Sequence, residues 1–327
     1  MTLNSALRSM AAAARRAERE SIRRQREYGR QMKQYAKQQE IEFAALEVDQ
    51  HENRVTILKS MHQDCSDTWD WKTVNDSPPP KEPAKLDKYE RIAVENLNKY
   101  EPSFFDKLFR KVDKKTSAFN EQITISKNKD EVEYKNNLIK YEAEYKEWTE
   151  IGYLSTKILA GDIVAYKEAI EQVNPFSEIS EIGSSIEFNV SSRDFIDITL
   201  NVNSSEAIPS EEKSQLKSGK LSVKEMPKAK FYELYQDYVC SCVLRVAREI
   251  FALLPLEKAL ITAVAALLNT KTGYLETQPI LSVLIPKETL YRLNFESIDP
   301  SDSMKNFKCN MSFKKTVGFD IVDKIKL

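Results

Sequence analysis

Glycine is scarce in this chain: seven occur among 327 residues, where average usage of about 7% would give roughly 23. All seven are isolated, at positions 29, 152, 161, 183, 219, 273 and 318. That spacing excludes a Gly-x-Gly-x-x-Gly dinucleotide turn and a Walker-type phosphate loop. Histidine is scarcer still, with only His51 and His62, both inside a helical stretch. A Ser-His-Asp triad, a Cys-His pair and a His-rich metal site are therefore disfavoured. The four cysteines, Cys65, Cys240, Cys242 and Cys309, are scattered, as in a reducing compartment. Cys240 and Cys242 would diverge by about 200° on a helix, too far apart to share a bridge. No apolar run approaches the ~20 residues of a membrane span. The most apolar stretch, residues 239–268, is broken by Arg245, Arg248, Glu249, Glu257 and Lys258. Arg8, Arg15 and Arg16 give the first residues the look of a mitochondrial presequence, but the helical pattern runs on past Glu18 and Glu20. A cytoplasmic protein is expected, with no cofactor.

Charge is abundant: 49 Lys plus Arg against 50 Asp plus Glu. It is also unevenly spread. Residues 1–40 hold ten Lys or Arg against four Glu, a net of +6, so the other 287 residues carry −7. Residues 2–63 lack proline and are rich in Ala, Arg, Gln, Glu and Lys, which predicts a helix of about 60 residues. Ser77-Pro78-Pro79-Pro80 follows as a stiff connector, and residues 86–100 read as a short helix. Across 103–160, Tyr134, Leu138, Tyr141, Tyr145 and Trp148 recur at heptad spacing. Antiparallel pairing of the two long helices gives facing residues an index sum near 165, as for Met32 with Tyr134 and Leu46 with Phe119. Residues 1–174 are thus expected to form a coiled-coil hairpin, with a self-paired dimer through residues 20–50 as the rival. Phe104-Phe105-Asp106-Lys107-Leu108-Phe109-Arg110-Lys111 is basic and amphipathic. It is expected to be an elbow packing the tip of the arm, in preference to a membrane-surface helix.

Beyond Pro175 the pattern changes to short alternating runs. Strands are predicted at 185–190, 195–202 and 219–226, with a polar loop over 203–218. Pro227 opens a long amphipathic helix to residue 254, followed by strands at 259–268 and 280–285 joined by a turn at Asn269–Gly273, with a helix the alternative over 259–268 given its four alanines. Two short helices over 286–308 and an edge strand at 317–325 complete the reading. The expected fold is α+β: a long helical hairpin, then over 175–327 a compact domain whose mixed or antiparallel sheet is covered by one long helix.

Three residue sets could carry chemistry. Arg15, Arg16, Arg19 and Arg23 belong to a basic run that could meet phosphates, although the arginines surround the helix and suit a solvated coiled-coil face equally well. Lys213, Lys217, Lys220, Lys224, Lys228 and Lys230 cluster, with Lys220, Ser222 and Lys224 on one strand face near the next helix start. That arrangement suits an anion or nucleic acid, or a solubilised edge strand. Asp197, then Glu211-Glu212-Lys213 after thirteen intervening residues, matches the Asp…Glu-x-Lys spacing of metal-dependent nucleases. Glu-x-Lys recurs at Glu133 and Glu144, so that match has little specificity. His62-x-x-Cys65 lacks two further ligands for a metal.

Gly219-Lys220-Leu221-Ser222-Val223-Lys224, Met226-Pro227-Lys228 and Leu234-Tyr235-Gln236-Asp237-Tyr238-Val239-Cys240 together resemble a segment of uncharacterised bacterial proteins, some with a helical N-terminal arm. The resemblance implies a bacterial cytosolic origin and carries no activity. The expected function is a non-enzymatic interaction or scaffold protein, binding a protein partner or itself through the arm. The alternative is a nucleic-acid-binding or nuclease-like accessory protein; a membrane surface is disfavoured as a partner.

Overall fold

A computed structural model describes residues 3–177, 179, 185–202, 207–268 and 272–326, with residues 3–19, 21 and 22 described by backbone alone. The chain divides into two units, one of residues 1–68 with 173–327 and one of residues 69–172. This differs from a division at residue 174, because the first long helix belongs with the sheet.

In the sheet-bearing unit, α1 (Leu3–Ser60) is a 58-residue helix. Beyond residue 184 come β1 (Ser185–Ser192), β2 (Phe195–Asn201), β3 (Glu211–Gln215), β4 (Leu221–Glu225) and α7 (Lys228–Leu253). They are followed by β5 (Lys258–Leu268), β6 (Leu275–Pro286), α8 (Lys287–Tyr291), α9 (Pro300–Ser303) and β7 (Lys308–Met311). The main sheet has the order β1-β2-β5-β6-β7. It is mixed: β2 and β5 run parallel, and the other neighbours antiparallel. A parallel pair needs a crossover, which α7 supplies.

Register puts Ile198, Ile261, Val283 and Cys309 in one row, and Leu200, Ala263, Leu281 and Met311 in the next. This face meets α7, where Cys240 Sγ lies 4.0 Å from Met311 Sδ. On the opposite face Thr262 and Ser282 hydroxyls lie 3.2 Å apart, and Ile325 N–H donates to Ser282 Oγ at 3.1 Å. Both faces of β5 are covered, which explains its unbroken apolar run. The segment 320–326 therefore crosses a sheet face; it is not the edge strand expected at 317–325. Only Gly318–Phe319 is strand there, as β9, paired with β8 (Phe313–Lys314).

The expected loop at 203–218 contains β3, which pairs with β4 from Glu211 opposite Glu225 to Gln215 opposite Leu221. Residues 203–206 and the turn positions 269–271 lie outside the described residues. Strand β3 has no apolar face of its own, and the ladder packs on α1. Gly219 closes the hairpin at φ +87°, and a Cβ there would stand 2.5 Å from Ile41 Cγ1.

In the second unit, α2 (Trp71–Asn75) and α3 (Lys88–Asn98) pack along α5 (Val112–Leu159); α4 (Phe104–Leu108) and α6 (Ile163–Val173) complete it. The seam of Tyr134, Leu138, Tyr141 and Trp148 is half-buried, and Trp148 Nε1 donates to Ser77 O and Oγ at 3.1 Å. Asp130, 7% exposed, accepts the N–H groups of Tyr89 at 3.0 Å and Glu90 at 2.7 Å, capping α3 from a neighbouring helix. Each long helix has partners inside its own unit, and the α1–α5 hairpin with its coiled-coil seam finds no support among them.

Candidate functional site

The C-terminal part of α1 is locked into its unit. Ala44, Leu58 and Met61 are buried, and Met61 Sδ lies 3.8 Å from Cys242 Sγ on α7. Below them is a polar knot. His62, 2% exposed, holds its Nδ1 2.6 Å from Ser241 Oγ, and that hydroxyl donates to Lys59 O at 3.0 Å. Burial, and then the Arg248 cation, hold the His62 pKa below its ordinary value. Arg248 donates to His62 O, Gln63 O and Asp64 O at 2.5, 2.7 and 3.3 Å, satisfying carbonyls just beyond the end of α1. Glu249, 1% exposed, lies 2.7 Å from Arg245 Nε and accepts Ser66 N–H at 3.0 Å. A Ser-His contact therefore exists, but it is enclosed and structural.

Burial also raises the pKa of all four thiols, Cys309 to about 11 and Cys242 to about 12, so none is poised as a thiolate. Cys240 approaches Met311 and Cys242 approaches Met61, on different sides of α7. His62 and Cys65 gain no metal company: among the described residues no group of three His, Cys, Asp or Glu could hold an ion.

One open groove of this unit, of about 880 Å³, lies between α1, the β3–β4 hairpin and the start of α7. His51 and Lys59 line one wall, Lys213 and Lys224 a second, and Lys230 and Glu233 the third. Its cations are largely neutralised. Lys213 meets Glu47 at 2.6 Å and Lys230 meets Glu212 at 2.5 Å. Outside it, Lys220 reaches Glu40 at 3.6 Å. Gln215 Nε2 adds a bond to Ile41 O at 2.9 Å. Thus Lys213 and Lys220 fasten the hairpin to α1. Lys224 has no carboxylate within ion-pair range among the described residues and lines the groove, with Ser222 on the same strand and Lys228 exposed at the start of α7.

The nuclease-like set is distributed. Asp197, on the main sheet, accepts from Lys324 Nζ through both oxygens, at 2.9 and 2.7 Å. Glu211 and Lys213 sit on the separate two-stranded sheet, where Lys213 is bound to Glu47. Arg23 pairs with Glu27 at 3.1 Å along α1 and Arg24 with Glu20 at 2.7 Å. The side chains of Arg15, Arg16 and Arg19 lie outside the described residues.

A further conspicuous surface lies on α1. Every residue from 23 to 43 is exposed, including Tyr28 (65%), Met32 (50%) and Tyr35 (60%) at spacings of four and three. No described helix is long and apolar enough to cross a membrane. Set against known proteins, the chain matches no family model, no curated protein and no solved structure.

Proposed function

We propose that this is a non-enzymatic assembly protein in which the basic half of α1 docks on an acidic surface of a second copy. The supporting observation is the stretch of α1 from 23 to 39, exposed all round, whereas Glu40 and Ile41 already touch the β3–β4 hairpin and Ala44 is buried. A helix gains most of its stability from packing, and one that is solvated on every side needs a partner. Tyr28, Met32 and Tyr35 supply a short apolar stripe, and the net +6 over residues 1–40 favours an acidic counterpart. The other 287 residues carry −7, so another copy offers that charge. Two α1 helices paired with each other would instead bring like charges together. Light scattering on the full chain should therefore show self-association at low salt that weakens as salt rises. Tyr28→Ser/Met32→Ser/Tyr35→Ser should abolish it. A chain monomeric at about 50 mM salt, where charge pairing is strong, overturns self-assembly.

The ten cations of residues 1–40 also favour a second reading, nucleic-acid binding through α1. The β3–β4 lysines contribute less to it, because Lys213, Lys220 and Lys230 are already paired. Fluorescence anisotropy with single- and double-stranded nucleic acid tests it. Binding with a steep salt slope that survives Lys224→Gln/Lys228→Gln would place the contact on α1; no binding at about 50 mM salt excludes it.

A further inference from the structure

The segment expected to pack as an elbow does the reverse. Phe104 is 74% exposed, Phe105 65%, Leu108 60% and Phe109 62%. Single exposed apolar residues are ordinary, but four large ones within six positions form a patch. At about 100° per residue, positions 104, 105, 108 and 109 span roughly 140° of the short helix α4, so they share one face.

The patch is held from beneath. Asp106, 6% exposed, accepts from Lys115 Nζ at 2.8 Å, from Tyr100 OH at 3.1 Å and from Ser103 N–H at 3.3 Å. The Asp106 carbonyl also accepts Lys111 N–H at 2.9 Å, across Arg110 at φ +50°. The loop's one buried acid is therefore consumed internally, by Lys115. Lys107, Arg110, Lys111 and Lys114 are exposed in the same segment, with Lys111 Nζ 5.6 Å from the Phe109 ring centroid, against Asp113 alone among the exposed acids of 104–114.

An exposed aromatic face in a basic segment, with its acid turned inward, has the chemistry of an interfacial anchor. Phenylalanine and leucine enter the acyl boundary while lysine and arginine meet lipid phosphates. We infer that residues 104–111 form a contact loop for a bilayer surface carrying anionic lipid. The excess of exposed cations in the segment argues for that occupant, since an apolar protein groove would not call for four of them. The contact is superficial, because α4 has five residues.

The test is co-sedimentation of the full chain with phosphatidylcholine vesicles, with and without about a third phosphatidylglycerol. Binding is expected only to the anionic vesicles and should weaken with salt. Phe104→Ser/Phe105→Ser/Leu108→Ser/Phe109→Ser should lower partitioning by about a hundredfold while leaving the circular dichroism spectrum unchanged. Lys107→Gln/Arg110→Gln/Lys111→Gln should lower it by about tenfold or more. A Phe105→Trp chain provides a second readout, a blue-shifted emission component on adding anionic vesicles. No binding by the unmodified chain, or binding that the serine variant retains, overturns the proposal. Absence of binding together with a mass doubling that the serine variant abolishes would assign the patch to a second copy instead.

Discussion

His62 shows how far a single side chain's environment sets its behaviour. Ser241, the Lys59 and Phe295 carbonyls, Asp299 and Arg248 all face it, and burial outweighs those that favour the cation. A base whose folded pKa lies below its unfolded value of about 6.5 takes up protons preferentially in the unfolded chain. Its stabilising contribution is complete above that pH and is lost as pH falls toward the folded value. Chemical denaturation between pH 7.5 and 5.5 should show stability declining on acidification, and His62→Gln should flatten that slope. Arg248→Met strips three carbonyls of their donor and removes the guanidinium 4.1 Å above the Phe295 ring. A loss of about 2–3 kcal/mol is expected from denaturant midpoints. The same change removes a cation beside His62, which brings its folded pKa closer to 6.5 and should make the pH-dependent decline smaller. In the sequence, Arg245, Arg248 and Glu249 were visible only as interruptions of an apolar run. Charges inside such a run must be paired if buried, and that was the available signal. Nothing local named their partners, because Ser241 and His62 are 179 positions apart.

At the scale of elements, the sequence revealed which faces are covered better than what covers them. The stripe from Tyr134 to Trp148 is a packing seam, yet its neighbours are the connector at Ser77 and the helices α2 and α3. A heptad spacing carries no information about the partner's identity. Strands β1, β2, β5 and β6 of the main sheet were legible because alternation in β2 and the apolar run of β5 are direct records of burial, whereas the edge strand β7, only four residues long, fell between the helices read over 286–308 and the strand read at 317–325. Strand β3 was not, since Glu-Glu-Lys-Ser-Gln has no apolar face and is recruited to α1 by Lys213 and Gln215. That joint depends on Gly219. Gly219→Ala adds both a collision with Ile41 and a strained φ, so a loss of about 2 kcal/mol is expected in thermal unfolding. Pairing it with Ile41→Ala should recover the steric part alone. In the other unit, Asp130→Ala leaves two first-turn amides of α3 without an acceptor. Hydrogen exchange at Tyr89 and Glu90 should quicken by about tenfold, while α5 amides hold their protection.

The whole molecule is organised by a discontinuity: residues 69–172 form a separate unit between two stretches that build the other. The fold class was legible from composition shifts along the chain, but the grouping was not, because the heptad seam at 134–148 suggested pairing the two long helices with each other, and only the end of α1 is buried, against α7. Leu58, Met61 and His62 are the residues that bind it to α7. Limited proteolysis should accordingly nick the chain within 69–172 while fragments from residues 1–68 and 173–327 stay together on a native column. Residues 173–327 made alone should aggregate or bind a hydrophobic dye, because the α7 surface against α1 is bared. A soluble, cooperatively unfolding 173–327 fragment would contradict this grouping.

The same discontinuity has a temporal side. A ribosome adds about 5–20 residues per second, so the 179 positions between His62 and Ser241 correspond to a wait of roughly 10 to 40 s. During that interval residues 69–172 emerge in full and can acquire their own local contacts, whereas Leu58 and Met61 stay in water. The sheet-bearing unit is thus exposed to mispairing for as long as α7 is unmade. Slower decoding between residues 172 and 241 would lengthen that exposure, and a holdase engaging nascent chains of 70 to 240 residues would find its apolar target at the end of α1.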